Sequence, residues 1–186
     1  MTQKLDNNNN FRHMLPIQIR FNDVDKFGHV NNTVYFQFYD TAKTDYFATV
    51  CKDVDWEQVA IVVAKIDADF VAQIKAGDHI AARTRTVRIG NKSFHLEQDI
   101  IDMDTQEVKC RCMSVMVLYD LLHHQTMAFP DSWRESICQY DGLSDGREWY
   151  DDTEEMAWNV VVRKKNSGVC LAFRLVFRNF ARKIEE

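Results

Sequence analysis

The residues of this chain best suited to chemistry crowd into the short stretch 22–35. It carries the carboxylate of Asp25, then His29 and Asn32, directly before a run with helical periodicity. The unpaired N–H groups in the first turn of a helix, at its positive dipole end, can polarise a carbonyl. A carboxylate beside them can act on that carbonyl directly or through a water molecule. The stretch is therefore predicted to be an active site.

A helix over residues 33–50 is predicted to position these groups. Its apolar residues recur at helical spacing and gather on one face, whereas Asp40, Lys43 and Thr44 lie opposite. The predicted buried face consists of Val34, Tyr35, Phe38, Tyr39, Ala42, Tyr46 and Phe47. A face with so many aromatic residues is expected to lie against a sheet.

From about residue 65 the apolar residues alternate with polar ones, which predicts strands. Residues 54–59 are predicted to be a connector, and turn residues separate the strands that follow. The predicted strands cover residues 65–74, 80–89, 94–100 and 108–118. One helix followed by antiparallel strands is an α+β arrangement with the helix on one face of the sheet.

The C-terminal part gives weaker patterns. A helix is predicted over 132–139 with Asp131 or Ser132 as its cap, and 141–146 has the composition of a linker. Residues 148–162 are ambiguous between helix and strand, and 169–184 predict a basic amphipathic helix. The predicted organisation is a disordered N-terminal segment 1–13, a folded domain 14–140 and a C-terminal extension 141–186.

Composition limits the class of protein. With 186 residues, 46% of them hydrophobic, and two prolines, the chain is expected to be globular. Its net charge of −5 disfavours nonspecific nucleic-acid binding. Five cysteines without a C-x-x-C pair, and no signal peptide, favour a reduced cytoplasmic setting. No apolar stretch approaches the roughly 20 residues of a membrane-spanning helix.

The stretch 22–35 also resembles a known family. It matches the signature D-x-x-G-H-V-N-N-x-x-Y of hotdog-fold thioesterases related to 4-hydroxybenzoyl-CoA thioesterase. The matching residues are Asp25, Gly28, His29, Val30, Asn31, Asn32 and Tyr35. The resemblance extends over roughly residues 15–138, through the hairpin at 86–100 and the long strand and proline of 116–130. It implies a curved antiparallel sheet wrapped round one long central helix.

The resemblance implies the roles of Asp25 and Asn32, and the residue types suggest roles for Asp23, His29 and Asn31. Asp25 would attack the thioester or activate a water molecule, and Asp23 would be structural or a neighbouring charge. His29 would be an acid–base partner or would orient the loop. Asn31 and Asn32 would cap the helix, and the backbone N–H of Asn32 would also bind the oxyanion. Capping and oxyanion binding use different atoms, so both can hold.

The implied substrate-binding residues are Gly28, Asn31, Tyr35, Arg88, Lys92 and Ser93. Tyr35 would line the acyl pocket. The last three would meet the phosphates of coenzyme A from a hairpin turn, although such a cluster also suits a solvated hairpin end. No cofactor and no metal site are expected, because Cys110 and Cys112 have no second pair of ligands.

The sequence therefore predicts a cytoplasmic hotdog thioesterase acting on acyl-CoA or acyl-carrier-protein thioesters, in a homodimer or homotetramer with sites at the interface. A dehydratase or hydratase on the same fold is one alternative. A non-catalytic acyl-binding or regulatory module is another. Peripheral membrane contact through residues 169–184 would add to the thioesterase interpretation.

Overall fold

The computed structural model describes residues 11–52 and 54–143. Within them six strands form one antiparallel sheet with the order β1-β3-β4-β5-β2, and β6 pairs with β5. The strands are β1 His13–Ile17, β2 Val59–Phe70, β3 Ile80–Ile89, β4 Ser93–Asp102, β5 Val108–Asp120 and β6 Gln125–Thr126. Two helices, α1 Asn32–Val50 and α2 Asp131–Asp141, accompany the sheet. The sheet is curved and not closed, which confirms the predicted α+β arrangement.

Helix α1 packs its aromatic face against the sheet, as its periodicity predicts. All seven residues of the predicted face are buried, and Val50 joins them. The N-terminal half of α1 packs with Ile74, Ile80 and Ile100 in one core cluster. Its C-terminal half packs with Ile89 and Phe94 in a second cluster. The two halves of α1 therefore mark two opposite ends of the sheet.

The prediction for β2 was wrong at both ends, because the strand runs from Val59 to Phe70 and not over 65–74. The apolar run 59–63, assigned in part to a connector, pairs with β5 and continues past a bulge at residue 64. Beyond the strand the backbone N–H groups of Val71 and Ala72 both donate to Lys109 O, at 2.9 and 3.0 Å. The chain therefore leaves the ladder although its apolar alternation continues.

Helix α2 is longer than predicted at both ends. Its N-cap position is Pro130, which offers no side-chain acceptor, so both predicted caps were wrong. Asp131 and Ser132 lie inside the helix. Gly142 follows it with φ +70°, the left-handed conformation common where helices end.

Asp141, predicted to begin a linker, is the last residue of α2 and is buried. Its Oδ2 accepts hydrogen bonds from the hydroxyl of Tyr46 at 2.5 Å and from the backbone N–H of Thr86 at 2.8 Å. Burial raises the pKa of Asp141, although these two donors oppose the shift. The carboxyl group thus ties the end of α2 to α1 and β3.

The described strands begin at His13, the last residue of the segment predicted to be disordered. His13 pairs with Thr84 on β3, and its Nε2 lies 2.9 Å from an Asp45 carboxylate oxygen on α1. The predictions for residues 148–162 and 169–184 lie outside the described residues, as does most of the predicted extension.

Candidate active site

The motif loop folds as a narrow hairpin that ends at the start of α1. Val24 and Val30 form an antiparallel bridge, and Asp25 N donates to His29 O at 2.8 Å. At the tip Gly28 N donates to Asp25 O at 3.0 Å. Gly28 has φ +82°, a conformation that other residues adopt at a cost, which explains why a glycine serves at this tip. The loop therefore holds Asp25 beside the residues that lead into α1.

Asp25 is exposed to solvent, and one of its carboxylate oxygens is fixed by the loop. Oδ1 accepts the backbone N–H of Phe27 at 2.8 Å and, more weakly, that of His29 at 3.4 Å. No hydrogen bond to Oδ2 comes from residues 11–52 or 54–143. The carboxylate is oriented through one oxygen, and the other is available to a substrate or a water molecule.

Asp23 has a different environment, with 3% of its surface exposed. Its Oδ2 accepts the backbone N–H of Arg20 at 2.7 Å, and the Arg20 guanidinium lies 2.9 Å from Oδ1. Burial alone would raise the pKa of Asp23, but the hydrogen bonds and charge of Arg20 together lower it. These contacts agree with the structural role considered for Asp23.

Helix α1 begins immediately after the loop with a side-chain cap. Asn31 Oδ1 accepts from Thr33 N at 3.1 Å and from the Thr33 hydroxyl at 3.0 Å. Asn32 is exposed and is the first residue of the helix. Because the N–H groups of the first turn have no carbonyl before them in the helix, that of Asn32 has no acceptor within α1. The cap therefore binds the N–H of Thr33 and leaves that of Asn32 available at the positive end of the helix.

His29 and Tyr35 complete the motif. His29 is half-buried, and its backbone bridges to Lys75. Tyr35 is 3% exposed and lies edge-on to Phe70, with 5.1 Å between ring centroids. Burial raises the pKa of Tyr35, so its hydroxyl stays protonated at neutral pH. Tyr35 is placed to line an apolar surface rather than to exchange protons.

An aromatic surface beside Tyr35 escaped the sequence analysis. Phe36 on the first turn of α1 and Phe70 at the end of β2 are 37% and 44% exposed. Their ring centroids lie 6.4 Å apart. In the predicted strand 65–74, Phe70 is one of the apolar residues that alternate with polar ones. One feature of the sequence could have indicated this surface: Phe36 is aromatic, follows Tyr35, and lies outside the predicted buried face of the helix.

The structure does not bring the predicted coenzyme A contacts to Asp25 within one chain. Arg88, Lys92 and Ser93 flank the β3–β4 turn, beside Ile89 and Phe94 at the C-terminal end of α1. The motif loop lies at the N-terminal end of that helix, whose 19 residues rise about 1.5 Å each. The two groups of predicted site residues therefore occupy opposite ends of the sheet.

No group of three or more metal-binding side chains occurs in the part of the chain that the structure describes. Cys110 and Cys112 are both buried in the core cluster beneath α1. Burial raises the pKa of the Cys112 thiol to about 12. These thiols pack as apolar core residues.

Comparison with known proteins identifies the family. Residues 19–137, well over half of the chain, match the sequence model of the Thioesterase-like superfamily. The chain belongs to this superfamily. An acyl-acyl carrier protein thioesterase of Arabidopsis thaliana, ATL2, is 24% identical over 98 residues, which are 51% of this chain and 52% of that protein. The chain spans about half the length of the curated relatives that it matches.

Solved structures extend the likeness to the fold. The PA5185 protein of Pseudomonas aeruginosa is 26% identical with a TM-score of 0.65, covering 71% of this chain and 93% of that one. A Thermus thermophilus thioesterase, solved with coenzyme A and zinc, is 27% identical with a TM-score of 0.64, covering 72% and 97%. The predicted hotdog fold and the resemblance to hotdog thioesterases are confirmed. Thioester hydrolase, the predicted enzyme class, is the class to which this family points.

Proposed function

We propose that this protein hydrolyses acyl thioesters of coenzyme A or an acyl carrier protein, with Asp25 as the reacting carboxylate. The observation that carries the proposal is that two suitable groups, one in the motif loop and one at the start of α1, lie within residues 25–32. Within the described part of the chain, Asp25 is held through Oδ1 alone, and the N–H of Asn32, at the start of α1, has no acceptor. Membership of the Thioesterase-like superfamily supports the reaction class.

A thioester suits a carboxylate because its carbonyl is electrophilic and its thiolate leaves easily. As a general base, Asp25 takes a proton from water while the water oxygen adds to the carbonyl carbon. The tetrahedral oxyanion is then stabilised by the N–H of Asn32 and the helix dipole. Its collapse breaks the C–S bond, and the proton passes to the departing thiolate. General acid–base catalysis of this kind contributes roughly 10²–10⁴-fold.

Asp25 as a nucleophile is the alternative step. Its carboxylate would displace the thiolate to form a mixed anhydride, which water would then hydrolyse. One turnover in ¹⁸O-labelled water tests the nucleophilic route. Label in the Asp25 peptide identifies an anhydride that water opens at the Asp25 carbonyl, which the general-base route does not produce. His29 in either route would exchange a proton or orient the loop.

The carrier would be bound by Arg88, Lys92 and Ser93, and because these lie at the other end of the sheet, the proposal requires a second copy of the chain. Each complete site would combine Asp25 of one copy with the β3–β4 turn of the other. Strand β2 pairs only with β5, so its outer edge is unpaired within the described sheet and suits such an association.

Mixing two inactive variants tests this shared site. Asp25→Asn would be combined with the double variant Arg88→Ala/Lys92→Ala at low acyl-CoA concentration. Turnover that reappears after subunit exchange would support sites built from two copies. A mixture no more active than its components would contradict the shared site.

The proposed setting is the cytoplasm, in keeping with the free cysteines of the described residues, three of which are buried. Within the described residues no helix is long and apolar enough to cross a membrane. Membrane contact through residues 169–184 stays a prediction. Co-sedimentation with anionic vesicles, with and without residues 145–186, tests it, and unchanged binding after the deletion would contradict it.

Thiol release from a panel of acyl-CoAs and acyl-carrier proteins tests the proposed activity. The wild type is compared with Asp25→Asn and with Asp40→Asn, the same change at an exposed carboxylate on α1. We expect turnover with at least one thioester, lost in Asp25→Asn and kept in Asp40→Asn. Binding without turnover on every thioester would favour the non-catalytic acyl-binding module.

A further inference from the structure

Helix α2 binds the backbone of the β3–β4 turn through one arginine. The two terminal guanidinium nitrogens of Arg134 donate to carbonyl oxygens, Nη1 to Ile89 at 3.3 Å and Nη2 to Gly90 at 2.8 Å. The guanidinium also lies over the ring of Phe129, 5.7 Å from its centroid. Phe129 N in turn donates to Asn91 O at 2.7 Å. Three consecutive carbonyl oxygens of the turn are thus bound from the side of α2.

The turn itself is tight, and its backbone is already committed to contacts within the protein. Gly90 N donates to Ser93 O at 2.7 Å, and a Cβ on Gly90 would lie 3.1 Å from that oxygen. Lys92 O accepts the N–H of Leu118 at 3.3 Å. The side chain of Lys92 is exposed, and that of Ser93 is half-buried. The turn therefore presents side chains on a backbone that its neighbours hold.

The far end of α2 is attached to the same strand. Asp141 accepts the N–H of Thr86 on β3, and the hydroxyl of Tyr46 binds the same carboxylate oxygen. Helix α2 is thus fastened to β3 at two points, one at Thr86 and one at the turn. Among residues 11–52 and 54–143, only Arg134 reaches the turn carbonyls of Ile89 and Gly90 by a side chain.

We propose that Arg134 is a positioning residue for coenzyme A, which fixes the β3–β4 turn so that Lys92 and Ser93 meet the phosphates of the carrier. This rests on the proposed thioesterase function and on its assignment of the carrier to this turn. A ligand-binding turn that is already ordered spares the ligand the entropic cost of ordering it. A guanidinium holds two carbonyls at once, which the point charge of a lysine cannot reproduce.

The consequence is a selective loss of carrier binding. Arg134→Met keeps the length of the side chain and removes both hydrogen bonds. We expect it to raise KM for acyl-CoA roughly tenfold, the effect of weakening one charge-assisted contact. The value of kcat for acyl-CoA should not change. The matching acyl-pantetheine lacks the nucleotide and its phosphates, so kcat/KM for this substrate should not change either. Arg134→Lys should recover part of the lost affinity.

Two controls separate positioning from mere stability. Glu135→Gln changes the next, exposed residue of α2 and should leave every constant at its wild-type value. Tyr46→Phe weakens the other end of α2 and should lower stability without raising KM for acyl-CoA. Calorimetric titration with coenzyme A alone gives a readout that does not need turnover, and the dissociation constant should rise with KM.

Three results would overturn the proposal. The first is an unchanged affinity for coenzyme A in Arg134→Met, or in Arg134→Lys if the first variant does not fold. The second is an equal loss of kcat/KM for acyl-CoA and acyl-pantetheine, which would make Arg134 structural. The third is a wild type that does not bind coenzyme A. A wild type that binds coenzyme A yet hydrolyses no thioester would refute the proposed function alone, since the titration still decides the role of Arg134.

Discussion

Replacement of Tyr46 by phenylalanine should weaken the whole domain, because its hydroxyl serves a buried carboxyl group. The hydroxyl lies 2.5 Å from Asp141 Oδ2 and 2.9 Å from the hydroxyl of Thr86, and Tyr46 itself is fully buried. A hydrogen bond to a charged group is worth about 1.5–3 kcal/mol. Among the residues that the structure describes, the loss leaves the Asp141 carboxylate with the N–H of Thr86 as its one remaining hydrogen-bond donor. We expect about 2–3 kcal/mol lower free energy of unfolding, a large part of the 5–15 kcal/mol typical of a domain.

Urea unfolding, monitored by tryptophan fluorescence, measures this loss. The signal reports on α2, because Trp133 lies on that helix and the ring centroids of Trp133 and Trp56 are 6.1 Å apart. For a chain of this length each kcal/mol corresponds to about 2–4 °C in Tm. The matched control is Tyr140→Phe, the same change on a half-buried ring 6.1 Å from Tyr46, with no described hydroxyl partner. A loss in Tyr46→Phe no greater than in this control would refute the reasoning about Asp141.

Three further predictions concern the motif loop. Asn31→Ala removes the cap of α1 and should lower the free energy of unfolding by about 1 kcal/mol, measured as a lower Tm. Asn31→Asp keeps an acceptor and should lower it much less. Equal Tm values for Asn31→Ala and wild type would contradict the role of the cap. A Cβ at Gly28 would have no neighbouring atom within 4 Å, so Gly28→Ala should lower the free energy of unfolding by about 1 kcal/mol through the backbone conformation at φ +82° alone. A variant with the Tm and kcat/KM of the wild type would contradict this backbone strain. The folded pKa of Asp23 is lowered, so its contribution to stability is present above about pH 4 and is lost on acidification. The excess instability of Asp23→Asn over wild type, full at pH 7, should therefore shrink steadily as the pH falls below about 4, and a difference independent of pH would exclude this linkage.

The sequence predicted those parts of the fold that its periodicity determines. The buried face of α1 follows from apolar residues at helical spacing, and β3 and β5 follow from alternation bounded by turn residues. Strand β2 could not be placed because its first residues, 59–63, are apolar without alternation. The real alternation of 71–74 lies beyond the strand, since the N–H groups of Val71 and Ala72 both donate to one carbonyl of β5, that of Lys109, and do not continue the ladder.

The part of the candidate site that could not be predicted from the sequence depends on contacts between residues that are distant in the chain. The sequence gives the order of Asp25, Gly28 and Asn32, and a glycine at the loop tip agrees with its left-handed backbone. The sequence does not show that the motif loop and Lys92 lie at opposite ends of the sheet, because this separation depends on which end of α1 packs against each strand. Asp141, beside a glycine, has the local composition of a linker, and only its partners Tyr46 and Thr86 make it part of the core.

The central claim is that the Asp25 carboxylate performs thioester hydrolysis, and steady-state thiol release by Asp25→Asn tests it most directly. On the thioester that the wild type turns over fastest, we predict a fall in kcat on the order of 10²–10⁴-fold with KM nearly unchanged. Asp40→Asn should retain the wild-type kcat. A folded Asp25→Asn that keeps the wild-type kcat would contradict the claim.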